Sequence, residues 1–495
     1  MTQAEFLRHL QAFPEMLLLA GTCVTMLVDV FSKDALRRVT YYLAQGTLLA
    51  CFLSSLFILR ESEGMRTLLF HGLFVSDALG HILKLVCYAA VSAVLVYSRQ
   101  YLLERELLRG EFITLLLFCL LGMMVMVSAA SFLTLFLGLE LMSLCLYSLV
   151  ALKRESALAT EAAMKYFVLG ALSSGLLLYG MSMIYGATGT LNVYEVASHA
   201  ARLSASASER TFLVFGLVFL VAGLAFKIGV VPFHMWIPDV YHGAPTAVTL
   251  LVGTAPKLAA FAMAVRLLVN GMLDLAQDWQ PMLALMALLS MAIGNIAAIA
   301  QSNLKRMLAY STIAHMGFML LGLLSGVVEG NRLNMAEAYS GAMFYMVVYV
   351  LMSLGAFGML LYFSRAGFEC ENLDDLKGLN RTHPWYAFMM LIVMFSLAGI
   401  PPTAGFYAKL AVLSSAVNAG QIWLAVAAVV LSLVGAFYYL RIVKLMYFDE
   451  PKEPHRVKAR TSFRVVLSAN GLALLAFGIL PQPLMALCLV AILAL

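Results

Sequence analysis

Long apolar stretches separated by short polar segments follow one another along the whole chain. A helix that crosses a bilayer needs about 20 mostly apolar residues, so each such stretch predicts one membrane span. The pattern therefore predicts an all-α, polytopic membrane protein with about fourteen transmembrane helices. The predicted spans are 14–31, 40–59, 74–98, 111–129, 131–151, 161–186, 211–231, 245–269, 282–300, 307–328, 338–363, 385–417, 422–447 and 465–490.

The composition excludes a water-soluble protein. Hydrophobic residues make up 62% of the chain and charged residues only 12%, whereas a soluble domain has about 45–50% and 25%. The net charge of +5 is small for 495 residues and does not indicate a nucleic-acid partner. The seven cysteines form no C-x-x-C pair, so the sequence predicts no metal or iron–sulfur centre in this chain.

The basic residues between the spans are distributed unevenly. Twenty of the 32 Lys and Arg residues lie in the odd-numbered loops and six on the opposite side. Loops rich in Lys and Arg face the cytoplasm, which predicts a multi-pass protein of the cell inner (plasma) membrane with both termini outside. The longest polar segments, 187–210, 364–384 and 448–463, are predicted to be loops. The last is basic and is expected to lie at the inner membrane face.

Charged side chains inside the apolar stretches are the main functional signal. A charge at the bilayer centre costs at least about 2.5–3.5 kcal/mol, so such residues usually face a protein interior or a hydrated path. Glu140 is the acidic residue that lies clearly mid-span, and Lys227, Lys257 and Lys409 lie within spans beside prolines. Because burial disfavours a charged ammonium, such lysines could load and release protons. The alternatives are structural ion pairs or lysines that reach the membrane surface.

Other ionisable residues leave the choice between function and structure open. Lys165 follows Glu161 by four residues, which allows an ordinary surface ion pair on one helix face. His315 lies mid-span and could titrate near neutrality, but a lone histidine on an apolar face is as often a hydrogen-bonded core residue.

Several further charges lie near the predicted ends of helices. Long cationic side chains in such places typically extend to the membrane surface, and we expect this of Lys84 and Arg266. Asp29, Asp77 and Glu111 also lie near helix ends and are interpreted as ordinary terminal residues.

Prolines directly follow one of the predicted spans and interrupt another. Pro232 follows Lys227 by five residues, and Pro401 and Pro402 precede Lys409. Proline removes a helix hydrogen bond, and the freed backbone groups need water or polar partners at membrane depth. A lysine before one break and after the other is the order expected of an inverted repeat. Broken helices in corresponding positions of two halves indicate a transport site near the midplane.

This symmetry predicts four parts of the chain. An N-terminal three-helix segment (1–110) is followed by two five-helix repeats (111–269 and 282–447) and by a basic loop with a C-terminal helix (448–495). Neither G-x-x-x-x-G-K-[ST] nor G-x-G-x-x-G after a strand occurs, so ATP and dinucleotides are not predicted to bind here. The chain could move protons but contains no recognisable energy source.

Three segments carry a resemblance to a known family. They are AFKIGVVPFHMWIPDVYHGAPTAVTLLVGTAPKLAAF (225–261), GNIAAIAQSNLKRMLAYSTIAHMGFMLLG (294–322) and FSLAGIPPTAGFYAKL (395–410). Over about 110–450 the chain resembles the proton-translocating subunits of respiratory complex I, which are similar to subunits of multiple-resistance cation/proton antiporters. It looks most like the subunit N group, because subunit M has a glutamate where Lys409 stands and subunit L continues into a long lateral helix.

The resemblance implies a role for each mid-span charge. Glu140 would be the acidic partner that controls Lys227. Lys257 would pass the proton along the midplane, and Lys409 would be the carrier on the exit side. Lys165 also lies at a position that the subunit N group uses.

The resemblance also implies cofactors and partners. His315 falls where the family often has a bridging polar group. No cofactor would be bound by this chain, and FMN, iron–sulfur clusters and quinone would belong to partner subunits. The partners would be other complex I membrane subunits, the peripheral redox subunits through the complex, and the lipid bilayer.

Two functions remain open at this point. In the first, the chain is the proton-translocating membrane subunit of an NADH–quinone oxidoreductase and responds to quinone reduction elsewhere. In the second, it is a subunit of a multisubunit cation/proton antiporter that an ion gradient drives. A scaffold without transport fits poorly with four mid-span charges.

Overall fold

The structure, a computed structural model, describes residues 10–32, 34, 36–62, 64–203, 207–328, 330–364, 367–451 and 460–495. Arg8, Lys33 and Arg365, which entered the charge count, and 452–459 of the basic loop lie outside the described residues. Helices dominate the described chain, as predicted. The α-helices are α1 Phe13–Phe31, α2 Arg38–Glu61, α3 Ala78–Glu104, α4 Gly110–Val127, α5 Phe132–Val150, α6 Ala157–Thr188, α7 Val193–Leu203, α8 Ala207–Ile228, α9 Trp236–Gly243, α10 Thr246–Val252, α11 Ala255–Ala264, α12 Ala276–Ile299, α13 Leu304–Leu324, α14 Met335–Phe363, α15 Leu379–Thr382, α16 Pro384–Ala398, α17 Ala404–Asn418, α18 Ile422–Phe448, α19 Thr461–Ile479 and α20 Gln482–Leu493.

Short elements complete the described fold. They are 3-10 turns at Leu10–Ala12, Phe70–Gly72, Leu273–Leu275 and Leu373–Leu376, a π-helical turn at Val265–Gly271, and strands β1 Thr67–Leu69 and β2 Phe74–Ser76.

Thirteen helical segments of the described chain are long and apolar enough to cross a membrane. They correspond to thirteen of the fourteen predicted spans, with ends that differ by up to eleven residues. The remaining span, 385–417, consists of α16 and α17 with a break between them, as its two prolines predict. The predicted architecture is therefore confirmed.

Two predicted spans are divided where no division was predicted. The span 245–269 separates into α10 and α11 at Thr254, whose φ of −124° and ψ of −99° are not helical. Pro256 lies in the first turn of α11, the part of a helix that tolerates its missing N–H. The span 465–490 separates into α19 and α20 at Leu480 and Pro481 for a similar reason.

The predicted loop 187–210 contains the helix α7. Val193, Val196 and Ala200 are buried on it, and their spacing of three and four residues forms one apolar face. Polar residues between them hid this helix from a search for long apolar stretches. The loop 364–384 likewise contains the short helix α15.

The centre of the molecule is formed by α10, α11, α13 and α14, which are almost completely buried. In the peripheral helices α1, α2, α18 and α19, a third or fewer of the residues in the most apolar stretch are buried. Their outward residues include Leu27, Val430 and Leu433. Such surfaces suit lipid or neighbouring membrane subunits.

A small hairpin lies before α3. Its strands β1 and β2 pair antiparallel, with Leu68 opposite Val75. The Val75 N–H donates to the Ser128 carbonyl at 2.8 Å, so the hairpin packs on the joint between α4 and α5. Asp77 then caps α3 by accepting a hydrogen bond from the Gly80 N–H.

The helices α4 and α5 cross at two glycines. A Cβ atom on Gly122 would lie 2.5 Å from the Met142 nitrogen, and one on Gly138 would lie 2.7 Å from the Met126 nitrogen. Because the obstacles are backbone atoms, a larger residue would push the helices apart. We expect Gly122→Val to lower the free energy of unfolding by about 1–3 kcal/mol, the usual cost of overpacking, and to lower the thermal unfolding midpoint in detergent.

Gly175 provides the matched control for this prediction. It is also helical and exposed, and a Cβ atom there would meet nothing within 4 Å. Gly175→Val should therefore leave the thermal midpoint nearly unchanged. Equal destabilisation by the two variants would show that the crossing is not as tight as the distances indicate.

Candidate functional site

The four mid-span charges occupy different helices around the centre of the molecule. Glu140 lies in the middle of α5, Lys227 is the penultimate residue of α8, Lys257 lies in the first turn of α11, and Lys409 lies in α17. Lys257 and Lys409 are buried, while Glu140 and Lys227 are half-buried. Lys257 and Lys409 are covered by the rest of the chain, so their side chains do not extend to the surface of the molecule.

Hydroxyl groups hold Lys227. Its ammonium donates to Ser143 on α5 at 3.1 Å and to Ser174 on α6 at 3.2 Å. Glu140 lies one turn before Ser143 and interacts electrostatically with Lys227. The two charges are not within 4 Å of each other, and Glu140 Oε1 is buried without a hydrogen-bond partner among the described residues. Glu140 and Lys227 therefore interact through space and do not form a direct ion pair.

A backbone carbonyl holds Lys257. The ammonium donates to the Ile228 carbonyl at 2.7 Å, which is at the C-terminal end of α8, and lies 5.0 Å from the centre of the Trp236 ring. The next residue, Gly229, has a φ of +87°. A Cβ atom on it would lie 2.1 Å from Ile237 and 3.2 Å from the Lys257 ammonium, so glycine is required by both conformation and space.

Lys409 repeats this arrangement at the second break. Its ammonium donates to the Ala398 carbonyl at 2.8 Å and to the Ser432 hydroxyl at 2.9 Å, and it lies 5.1 Å from the centre of the Phe318 ring. Ala398 ends α16, and Gly399 follows with a φ of +82°. A Cβ atom on Gly399 would lie 2.7 Å from the Lys409 side chain.

At each break, the carbonyl of the last helical residue therefore accepts a hydrogen bond from a lysine. The last carbonyls of a helix have no partner within the helix, and they carry the negative end of its dipole. Lys257 and Lys409 each supply a hydrogen bond and a positive charge at such an end. Within the described chain neither of them has a carboxylate within 4 Å, so the backbone is their main counter-charge.

His315 lies in a buried network of hydroxyl groups. Its two ring nitrogens are 2.6 Å from the Tyr345 hydroxyl and 3.1 Å from the Tyr439 hydroxyl. Tyr439 in turn bonds Ser311, and Tyr349 donates to Thr312 on the same helix as His315. These tyrosines were not identified from the sequence, because tyrosines on apolar helix faces give no distinctive pattern.

Lys165 belongs to a charged cluster at the surface of the molecule. Its side chain is 44% exposed and lies 2.8 Å from both Glu161 and Asp239. Asp239 also binds Arg306 at 2.9 Å. The surface pair with Glu161 that the spacing predicts is present, and the structure places Lys165 outside the group of mid-span charges.

The expected extension of Lys84 and Arg266 to the membrane surface is wrong. Both side chains are fully buried, and each has a carboxylate partner. Lys84 lies 2.5 Å from Glu15, and Arg266 contacts both oxygens of Asp77 at 2.5 and 2.7 Å. The partners come from helices distant in sequence, so the position near a helix end did not reveal the burial.

Asp77 is therefore not the ordinary terminal residue that was expected, because it is fully buried in its pair with Arg266. Asp29 and Glu111 are as expected. Asp29 pairs with Arg37 at 3.1 Å and Glu111 with Arg154 at 3.8 Å, at partly or largely exposed positions. Among the described residues, no three His, Cys, Asp or Glu side chains come together in a way that could hold a metal ion.

Comparison with known proteins identifies the family. Residues 129–435 match the family described as "NADH:quinone oxidoreductase/Mrp antiporter, TM". The chain is 59% identical over 482 residues to "NADH-quinone oxidoreductase subunit N" of Thiobacillus denitrificans, with 97% of each chain covered. A chain of respiratory complex I from Thermus thermophilus has a TM-score of 0.78 and 31% identity, covering 96% of this chain and 98% of that chain. A chain of the Mrp complex from Dietzia has a TM-score of 0.84 at 20% identity, covering 99% and 97%.

The matched segment and the close relatives together define a membrane subunit of the proton-translocating type. The chain belongs to the NADH:quinone oxidoreductase/Mrp antiporter family and, within it, to the subunit N group of complex I. The likeness to the Mrp complex shows a common fold, and the antiporter function is the less supported of the two alternatives.

Proposed function

We propose that Glu140, Lys227, Lys257 and Lys409 carry protons through this subunit while quinone is reduced elsewhere in the complex. The observation that supports this most strongly is the repeated pairing of a buried lysine with the end of a broken helix. An ammonium held by a carbonyl or a hydroxyl keeps its proton exchangeable, because burial disfavours its charged form.

Glu140 sets the charge of the first carrier in this proposal. Its carboxylate stabilises the protonated form of Lys227 through space, because opposite charges at short range favour each other. A change of charge or distance at Glu140 would shift the proton on Lys227 towards Lys257. Protons would then pass to Lys409 through water and the hydroxyl network around His315.

Lys165 and His315 have different positions in this scheme. The cluster of Lys165, Glu161, Asp239 and Arg306 lies at the start of α6, which positive-inside counting assigns to the cytoplasmic side. We assign Lys165 to proton uptake at that side. His315 would bridge towards Lys409, with which it interacts electrostatically.

The domain organisation and location follow the same proposal. The residues 111–269 and 282–447 would be two inverted five-helix repeats, since each contains one broken helix with a left-handed glycine. The chain would lie in the cell inner membrane with both termini outside. Other complex I membrane subunits would adjoin it, and the FMN, iron–sulfur clusters and quinone would be held by partner subunits.

Replacement of Glu140 tests whether it acts through charge. Glu140→Gln keeps the shape and loses the anion, so we expect it to lose most proton transfer. Glu140→Asp should retain more proton transfer, because its shorter carboxylate still favours a charged Lys227. A change of one unit in the pKa of Lys227 corresponds to only about 1.36 kcal/mol. The measurement is the number of protons moved per electron in proteoliposomes that contain the purified complex. Equal yields for the two variants would contradict an electrostatic role.

The same preparation tests the function as a whole. Lys257→Met removes the exchangeable proton at the second carrier and should abolish most of the proton yield in an assembled complex. Lys444, which is exposed at the end of α18, provides the control, and Lys444→Met should pump normally. A normal yield in Lys257→Met would refute proton transfer through this site.

A further inference from the structure

A second set of buried polar residues lies on α3, outside the segment 129–435 that matches the family. Asp77, His81, Lys84 and Tyr88 are four, three and four residues apart, which places them on one face of the helix. All four are buried. We call them the α3 stripe. Polar groups are costly inside a membrane and usually mark a functional path.

Ion pairs connect the α3 stripe to other parts of the molecule. At one end Asp77 contacts Arg266 in the π-helical turn after α11. Further along the helix Lys84 contacts Glu15 in the first turn of α1. His81 lies between the two pairs and is close enough to interact electrostatically with both Asp77 and Lys84. The α3 stripe therefore links the end of α11 to α1.

Several buried polar atoms along this route lack the hydrogen bonds that such atoms usually make. Among the described residues, His81 Nδ1 has no hydrogen-bond partner, and the Tyr88 and Ser55 hydroxyls interact only with each other. Glu15 and Lys84 have only their ion pair and no aligned hydrogen bond. Buried polar groups are nearly always hydrogen-bonded to protein or water, and a buried water typically satisfies about three of them. The route therefore has the polar lining that internal water needs.

The Glu15–Lys84 pair lies close to one membrane face. Glu15 is in the first turn of α1. Lys84 is six residues after the start of α3 at Ala78, which corresponds to about 9 Å along the helix axis. Positive-inside counting assigns this face to the outside.

We propose that His81, Lys84 and Glu15 form a second, hydrated proton path that leads to the outer membrane face. The inference rests on the proposed function of the chain in proton transfer. The Lys84 ammonium gives a proton to the Glu15 carboxylate, which leaves a neutral amine and a carboxylic acid. The acid releases its proton to water at the outer face, and water bound to the neutral His81 ring returns a proton to Lys84. Arg266 keeps its proton because guanidinium is a very weak acid, so the Asp77–Arg266 pair only holds the path in place.

A structural ion pair is the competing explanation, and a neutral double variant separates the two. Replacement of a whole buried ion pair by uncharged residues is often neutral for stability, whereas removal of one partner is costly. Glu15→Gln combined with Lys84→Met leaves no unpaired charge. If the pair only joins α1 to α3, this double variant should assemble and pump like the wild type.

The experiment measures protons moved per electron, together with quinone reduction, in proteoliposomes that contain the purified complex. We expect the assembled double variant to lose at least about half of its proton yield, because a positioned proton carrier accelerates transfer by orders of magnitude. His81→Gln leaves both ion pairs intact and should also reduce the yield. Glu104→Gln, the same type of change at the exposed end of α3, should have no effect.

The outcomes separate this path from the central one. A wild-type yield in His81→Gln, or in an assembled double variant, would overturn the second path, even if Lys257→Met stops pumping. If the double variant does not assemble, His81→Gln decides alone. A wild-type yield in Lys257→Met would refute the central carriers themselves, whatever the α3 variants do.

Discussion

Complexes that carry Lys227→Ala should assemble but lose most of their coupled proton movement. The ammonium of Lys227 is held by the Ser143 and Ser174 hydroxyls and lies within the electrostatic reach of Glu140. Alanine has no group that can carry a proton at this point. The two serines can bond water in its place, so the surrounding helices should remain folded.

Arginine at the same position provides the sharper test. Lys227→Arg keeps a positive charge and can still donate to the serines, but guanidinium does not release its proton at physiological pH. We therefore expect no rescue of proton yield in proteoliposomes, even where assembly and quinone reduction are normal. Wild-type pumping by either variant would exclude Lys227 as a proton carrier.

At Lys409 we expect a neutral side chain to stop pumping and glutamate to restore part of it. A buried carboxyl group can also bind and release a proton, whereas alanine and glutamine cannot. Lys409 lies nine residues before the end of α17 at Asn418, about 14 Å along the axis. That end faces the outside in the proposed orientation, so a proton on Lys409 is close to its exit.

The variant Lys409→Gln distinguishes the role of the Lys409 proton from the role of its hydrogen bonds. Lys409→Ala leaves the Ala398 carbonyl and the Ser432 hydroxyl without their present partner, which costs about 1–3 kcal/mol for an unsatisfied buried group. Lys409→Gln can still donate an N–H to the carbonyl, so it should assemble better than alanine and pump no better. An unchanged number of protons per electron in the alanine variant would make Lys409 a structural residue.

The membrane spans and the breaks next to Lys227 and Lys409 could be predicted because long apolar stretches and prolines are local signals, whereas the divisions at Thr254 and Leu480 were not predicted. The four mid-span charges stood out for the same reason, since Glu140, Lys227, Lys257 and Lys409 each interrupt an apolar run. Their predicted roles depend on the family resemblance and remain predictions. The environment of each lysine could not be predicted, because the carbonyls of Ile228 and Ala398 carry no sequence signal.

The buried ion pairs of α3 show that burial could not be predicted from neighbouring residues in the sequence. Lys84 and Arg266 lie near helix ends, where the side chain can reach water in an isolated helix. In the folded chain, Glu15 and Asp77 come from other helices and cover these ends. Glu15 directly follows Pro14 at the start of the first span, so it resembled an ordinary residue of a first helical turn. Long-range packing decides burial in such cases, and periodicity alone does not report it.

The carbonyl contacts of Lys257 and Lys409 bear on the work needed to discharge these sites. A charged ammonium has three N–H donors, and the neutral amine that remains after proton loss still has two. Lys409 can therefore keep its bonds to Ala398 and Ser432 in both states, and the lone pair that is uncovered becomes an acceptor for the next proton. Loss of the proton changes the charge of the site but leaves these two hydrogen bonds in place. If these lysines carry protons as proposed, the reorganisation energy of each transfer should come mainly from the surrounding water.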